Sequence, residues 1–220
     1  MSNSCDDAGF GPALTKAGWV VRPATAEDMS AVLRLRANSF RGSPMANDRD
    51  DFDARFHHLW VGQAGREPSA TIRWAVHRRP ADLLQGYAAQ SYDLSGMAQI
   101  SGPILELGRL CRAPSSRHDD GDLMRLIWAG VARMVLASGA KRLIGCPSFP
   151  TTDPEALAPG LAFLAQASVG PAPRRPGHQS GQDLRAFLGF TRRDCQYRRP
   201  TAVAAPLSDA WRMGLGSSGR

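Results

Sequence analysis

The sequence predicts an α/β fold, a mixed layer of helices around one sheet, and three observations carry that expectation. The elements follow the order strand, helix, strand, strand, strand, helix, strand. The segment from Ile104 through Leu105, Leu107 and Leu110 is apolar enough for a buried strand, yet it contains Glu106 and Arg109. The segment opening at Asp122 carries Leu123, Leu126, Ile127, Val131, Met134 and Val135 at helical spacing.

Taken in order, Trp19-Val20-Val21-Arg22 reads as a strand that Pro23 ends. Thr25 followed by Asp28 makes a capping box with Asp in place of the preferred Glu or Gln. The helix it opens sets Met29, Val32, Leu33, Ala37 and Phe40 on one face, and Gly42, Ser43 and Pro44 close it. Asp48-Arg49-Asp50-Asp51-Phe52-Asp53 is too charged to be core. His57 to Gln63 and Ala70 to His77 form two strands joined by a turn around Gly65 to Pro68. In the second, Ile72, Trp74 and Val76 share a face and Arg73 takes the other.

Residues 78–102 are irregular apart from Tyr92-Asp93-Leu94, and a polar loop, Ser115 to Gly121, follows Pro114. Arg125 and Arg133 lie outside the stripe of the long helix, which Gly139 ends. Lys141 to Cys146 is the last strand, terminated by Pro147. The folded domain is therefore expected over 19–155, behind a flexible N-terminus at 1–18. Residues 156–220 are expected to be an irregular tail, truncated or frame-shifted, with Leu184 to Phe190 a short helix.

Bulk properties narrow the class. The chain has 220 residues and a formal net charge of +7, almost all of it from arginine. No apolar run approaches the ~18 residues of a membrane span, and residues Met1 to Ala8 lack the cationic start and apolar middle of a secretory signal. The four cysteines are scattered, which points to reduced thiols in a cytoplasmic protein. A basic chain suits an acidic partner. Only Tyr197 accompanies the Arg192-Arg193 and Arg198-Arg199 pairs, so a nucleic-acid platform is not expected. His57 and His58 are adjacent on a strand and point to opposite faces, so no metal site is expected either.

An ionised group inside a strand is costly unless it is paired or used. Strict alternation sends Glu106 and Arg109 to opposite faces, and Gly108 between them is the residue expected to permit a bulge that turns both to one side. Two readings of Glu106 stay open, a proton acceptor and a structural partner of Arg109 or Arg73.

This order of elements, with a long helix after a bulged central strand, resembles the GNAT acyltransferase fold, a mainly antiparallel mixed sheet flanked by helices. Arg34 and Arg36, Phe40, Asp50-x-x-Asp53, His58-Leu59, Arg73 and Glu106-Leu107-Gly108-Arg109 come in the order seen in ornithine N-alpha-acyltransferases. Trp128 and Gly145-Cys146-Pro147-Ser148-Phe149 followed by Asp153-Pro154 fit the same family, which is similar to the acyl-homoserine-lactone synthases.

The resemblance implies transfer of a 3-hydroxyacyl group from acyl carrier protein to the α-amine of ornithine, with no resident cofactor and with peripheral contact at the inner membrane face. It implies a proton-accepting role for Glu106, and for Arg109 either support of Glu106 or a grip on the substrate carboxylate. Arg73 is a candidate for that carboxylate or the carrier's phosphate. Asp50 and Asp53 are candidates for the acceptor's cationic side chain, and Phe40 and Arg36 for substrate or carrier contact. Asp119, Asp120 and Asp122 at a helix start disfavour a bound pyrophosphate, in keeping with a carrier-protein donor. An acyl-homoserine-lactone synthase and an inactive carrier-binding domain are the alternatives.

Overall fold

A computed structural model describes residues 9–114, 117–146, 153–167 and, further on, 171, 173 and 175–178. Six strands form one sheet in the order β1-β2-β3-β4-β6-β7. They are β1 (Leu14–Lys16), β2 (Trp19–Pro23), β3 (His57–Gln63), β4 (Ala70–His77), β6 (Ile104–Arg112) and β7 (Arg142–Gly145). Neighbours run antiparallel except β6 and β7, which are parallel. A parallel pair needs a crossover, and helix α3 (Arg117–Ser138) supplies it. The chain divides into two compact units, and of the described elements only α4 (Pro154–Ala167) lies in the second.

Period-two alternation decides what each sheet face does. Val21, Leu59, Val61, Ile72, Trp74, Leu105 and Leu107 point one way and bury Leu123, Ile127, Val131 and Met134 of α3 against them. Each such side chain stabilises the fold by about 1.5–3 kcal/mol. Helix α1 (Met29–Arg41) lies against β4 and β6 on the opposite face, which carries His58, Arg73 and Glu106. Asp28 accepts hydrogen bonds from the Thr25 N–H at 2.7 Å and the Thr25 hydroxyl at 2.9 Å, so the expected box forms one turn ahead of α1. Gly42, at φ 70°, closes it.

The bulge is present, but it is built differently from the expectation. Arg73 pairs with Gly108 and Thr71 with Cys111, leaving Ile72 opposite both Arg109 and Leu110. Gly108 sits in regular pairing, and Arg109 itself takes the left-handed conformation, φ 52°.

Other differences follow from tertiary context. Leu14–Lys16 pairs with β2 inside the stretch expected to be flexible. Helix α3 starts at Arg117, so most of the expected polar loop is helical. Residues 78–102 contain the 3-10 turns Pro80–Gln85 and Ala88–Gln90, the strand β5 (Tyr92–Asp93) and the short helix α2 (Ser95–Ala98). Strand β5 pairs with β8 (Gly177–His178). Residues 156–167, expected to be irregular, belong to α4 despite Pro159 within it. Leu184 to Phe190 lies outside the described residues.

Close packing of α3 on the sheet depends on Gly130, where a Cβ would meet Leu59 Cδ2 at 2.7 Å and Val21 Cγ1 at 3.0 Å. Gly130→Val is expected to lower stability by about 1–3 kcal/mol through overpacking, read as a reduced urea midpoint at unchanged slope.

Candidate active site

The acidic run that looked solvated is the anchor of a buried ion lattice. The 3-10 turn Asp51–Ala54 is closed by a reciprocal box: Asp50 accepts the Phe52 N–H at 3.0 Å, and Asp53 accepts the Asp50 N–H at 3.0 Å. This holds both carboxylates toward the sheet. Arg36 of α1 donates to Asp48 at 2.9 Å, to the Asp48 carbonyl at 2.7 Å and to Asp53 at 2.5 Å. Arg73 of β4 donates to Asp50 at 2.6 Å and to Asp53 at 3.0 Å. Arg109 closes the lattice more loosely, 3.3 Å from Asp48 and 3.7 Å from Asp50.

Exposure separates these residues into two groups. The side chains of Arg36, Asp48 and Arg73 are 0% exposed and that of Asp53 is 1% exposed. Arg36 and Asp53 are therefore structural, contrary to the expectation of substrate or carrier contact, because a buried charge saturated by partners has nothing left to offer a ligand. Asp50 keeps 26% exposure and Arg109 keeps 20%. They form the open rim.

Aromatic faces complete the surroundings. The Arg73 guanidinium lies 4.8 Å from the Tyr87 ring, 5.3 Å from Phe56 and 5.8 Å from Phe52. Among the described residues its Nε and Nη2 have no hydrogen-bond partner, so these π faces offset part of their desolvation. Arg109 lies over Phe40 at 5.2 Å and near Tyr87 at 5.8 Å. Phe40 thus supports the rim guanidinium from below.

The lattice tunes its members. Burial alone would raise Asp53, but the hydrogen bond and charge of Arg36 outweigh it and hold the carboxyl below its ordinary range. Burial pushes His58 down to about 4, against the upward pull of Asp53. His58 is therefore neutral at pH 7 although it lies 3.5 Å from Asp53. Burial also pushes the Cys111 thiol up to about 11 and raises that of Cys146, so neither is poised as a thiolate nucleophile.

Glu106 stands apart from this lattice. It is 1% exposed and pairs with neither Arg109 nor Arg73, which corrects the structural-partner reading. It accepts the Ala88 N–H at 2.6 Å and the Tyr87 N–H at 3.3 Å, and lies 2.8 Å from His77 Nε2. Gly86 makes this approach possible, since a Cβ there would collide with Glu106 Oε2 and lie 3.0 Å from the Leu83 carbonyl. Next to Ala88 is an apolar cavity of about 90 Å³ lined also by Tyr92, Leu94, Ile144, Gly145, Cys146 and Pro176. Pairing of β6 with β7 ends at Leu107 and Gly145, one residue past Glu106, while β6 runs on to Arg112.

Two participants escaped the sequence reading. His77 could have been found by continuing the alternation Arg73, Ala75, His77 along β4. Tyr87, which carries a backbone donor for Glu106 and a ring for both arginines, sits in a stretch with no periodicity to place it.

Two measurements test this geometry. His58 is buried neutral, so the unfolded chain binds a proton near pH 6.5 that the folded chain refuses until about pH 4. Stability is expected to fall by about 3 kcal/mol as pH drops across that window, and His58→Gln is expected to flatten the slope in urea titrations. Gly86→Ala is expected to displace the Glu106 carboxylate, cutting turnover at least ~10-fold while thermal unfolding remains cooperative.

Comparison with known proteins agrees with this architecture. Residues 35–129 match the family model of the acetyltransferase (GNAT) domain. The L-ornithine N(alpha)-acyltransferase of Rhodobacter capsulatus is 30% identical over 178 residues, covering 77% of this chain and 68% of that protein. The enzyme of the same name from Agrobacterium fabrum is 36% identical over 146 residues, covering 63% of this chain and 47% of its own, so the chain spans about half of that relative's length. An aminoglycoside N-acetyltransferase solved in complex with CoA superposes with a TM-score of 0.42 at 16% identity, covering 72% of this chain and 93% of that one. A mixed sheet with a crossover helix, a bulged β6 and a Glu106 site beside the end of β6–β7 pairing, in a chain aligned over most of its length with such an enzyme, makes this protein a GNAT acyltransferase that belongs to the L-ornithine N(alpha)-acyltransferase family.

Proposed function

We propose that the protein transfers a 3-hydroxyacyl group from the phosphopantetheine of acyl carrier protein to the α-amine of L-ornithine. The observation that carries this reading is the 178-residue alignment with an L-ornithine N(alpha)-acyltransferase. Three features of the molecule support it.

The first is the end of β6–β7 pairing at Leu107 and Gly145, one residue past Glu106. A strand that continues past the end of its partner can offer N–H and C=O groups to the amides of a pantetheine arm. The apolar cavity beside Ala88 is suited to the start of an acyl chain. The second is the buried Glu106 carboxylate beside that point, paired with His77, which places proton-accepting groups together where an attacking amine must be deprotonated.

The third is the charge pair on the rim. Arg109 is held by long contacts and backed by Phe40, which leaves its bidentate fork available for the acceptor's carboxylate. Asp50, partly exposed, suits the side-chain ammonium. Arg73, Asp53 and Arg36 then act from beneath by fixing Asp50 in place. Acyl carrier protein is acidic, and the +7 chain favours its approach. Among the described residues no helix is long and apolar enough to cross a membrane; delivery of an amphiphilic product accords with contact at a membrane surface.

The test is turnover of 3-hydroxyacyl-carrier protein with a panel of amino acids, reading released carrier thiol and product mass. N-acyl-ornithine is the expected product. Arg109→Ala is expected to raise KM for ornithine ~10–100-fold, the worth of a charged hydrogen bond, with a smaller change in kcat. Consumption of S-adenosylmethionine instead would replace this reading with the lactone-synthase one, and an intact thioester with every acceptor would overturn it.

A further inference from the structure

The proposed reaction needs a group that can reach the acceptor's ammonium, and Glu106 is poorly placed to be that group. Its Oε1 is taken by the Ala88 N–H, its Oε2 faces His77 and the Tyr87 N–H, and 1% of the residue is exposed. A carboxylate enclosed on every side by donors orients its neighbours better than it collects protons. The neighbour it orients is His77, the last residue of β4, whose side chain retains 8% exposure.

Resting on the reading above, we propose that His77 is the proton acceptor for the attacking amine and that Glu106 is its positioning partner. The geometry sets the tautomer. The backbone N–H groups of Tyr87 and Ala88 make both Glu106 oxygens acceptors, so the hydrogen shared with His77 sits on Nε2. That leaves the lone pair on Nδ1, and among the described residues nothing is hydrogen-bonded to it. Among the described residues, the groups facing this pair are few. Glu106 comes from β6, the Asp82 carboxylate from the turn Pro80–Gln85, and the Cys146 thiol, which faces Glu106, from beyond β7.

The step balances without a co-reactant. Nδ1 takes a proton from the α-ammonium and releases it to water. The free amine attacks the thioester carbonyl, forming the C–N bond. As the C–S bond breaks, Nδ1 takes the second nitrogen-bound proton and delivers it to the departing pantetheine sulfur. An amide and a free thiol result, and Glu106 stabilises the imidazolium at each transfer.

The experiment uses the full chain with 3-hydroxyacyl-carrier protein and ornithine. His77→Gln is expected to lower kcat ~10²–10⁴-fold, the usual worth of general base catalysis, with KM for ornithine nearly unchanged. The ascending limb of the pH–rate profile is expected to vanish. His77→Ala is expected to regain at least ~10-fold on addition of imidazole, a rescue that a packing role would not permit. Thermal unfolding of both variants controls for folding, and His77→Asn supplies a second polar replacement. Wild-type kcat and an unchanged pH profile in His77→Gln, with activity lost in Glu106→Gln, would overturn the inference and leave the reading of the reaction intact. A wild-type chain that forms no N-acyl-ornithine would overturn both.

Discussion

The fold on the α1 side of the sheet depends on one constraint, the neutralisation of charge that has been taken out of water. Arg36 and Arg73 are fully buried, and Asp48 and Asp53 are buried with them. Desolvating each ion costs several kcal/mol, so none of these side chains is tolerable without the others. The lattice joins a helix, a loop and a strand that hydrophobic contact alone would leave free to slide. In return for that cost it fixes where Asp50 and Arg109 emerge at the surface. Replacing one member strands its partner, which is why such a lattice is more valuable for its geometry than for its net contribution to stability.

The other half of the site is organised by the backbone. Glu106 is a side chain of β6, but the groups that hold it are the amides of Tyr87 and Ala88, from a segment of short turns. Tyr87 connects the two halves, since its amide meets Glu106 while its ring lies against Arg73 and Arg109. The carboxylate that orients the proton acceptor and the guanidinium that would grip the acceptor are thus referred to one residue.

What the sequence made legible was set by periodicity. Strands β3 and β4 were placed to the residue because alternation and flanking turns agree, and the stripe of α3 was read correctly from Leu123 to Val135. The charge of Asp48 to Asp53 misled, because burial of an acidic run depends on arginines 12 to 61 positions away, and local composition cannot reveal that pairing. Arg36 shows the same dependence: it falls within the apolar stripe of α1, between Val32 or Leu33 and Phe40, and only Asp48 and Asp53, remote in sequence, make a charge tolerable there. The bulge was anticipated from Gly108, yet the strained residue is its neighbour, since register with Arg73 is satisfied by the glycine. Residues 78–102, with their turns and no repeat, gave no hint that they cap Glu106.

The left-handed backbone of Arg109 has a consequence for how this chain balances durability against activity. An L residue pays roughly 1–2 kcal/mol to occupy that region, a penalty glycine escapes. A glycine at this position would relieve the backbone and at the same time remove the guanidinium from the rim. The strand therefore carries a local instability for the sake of aiming one side chain, the mark of a position where stability is surrendered to chemistry. Selection of this protein for robustness alone would favour losing Arg109, just as it would favour relieving Ala17, where no chemistry is at stake.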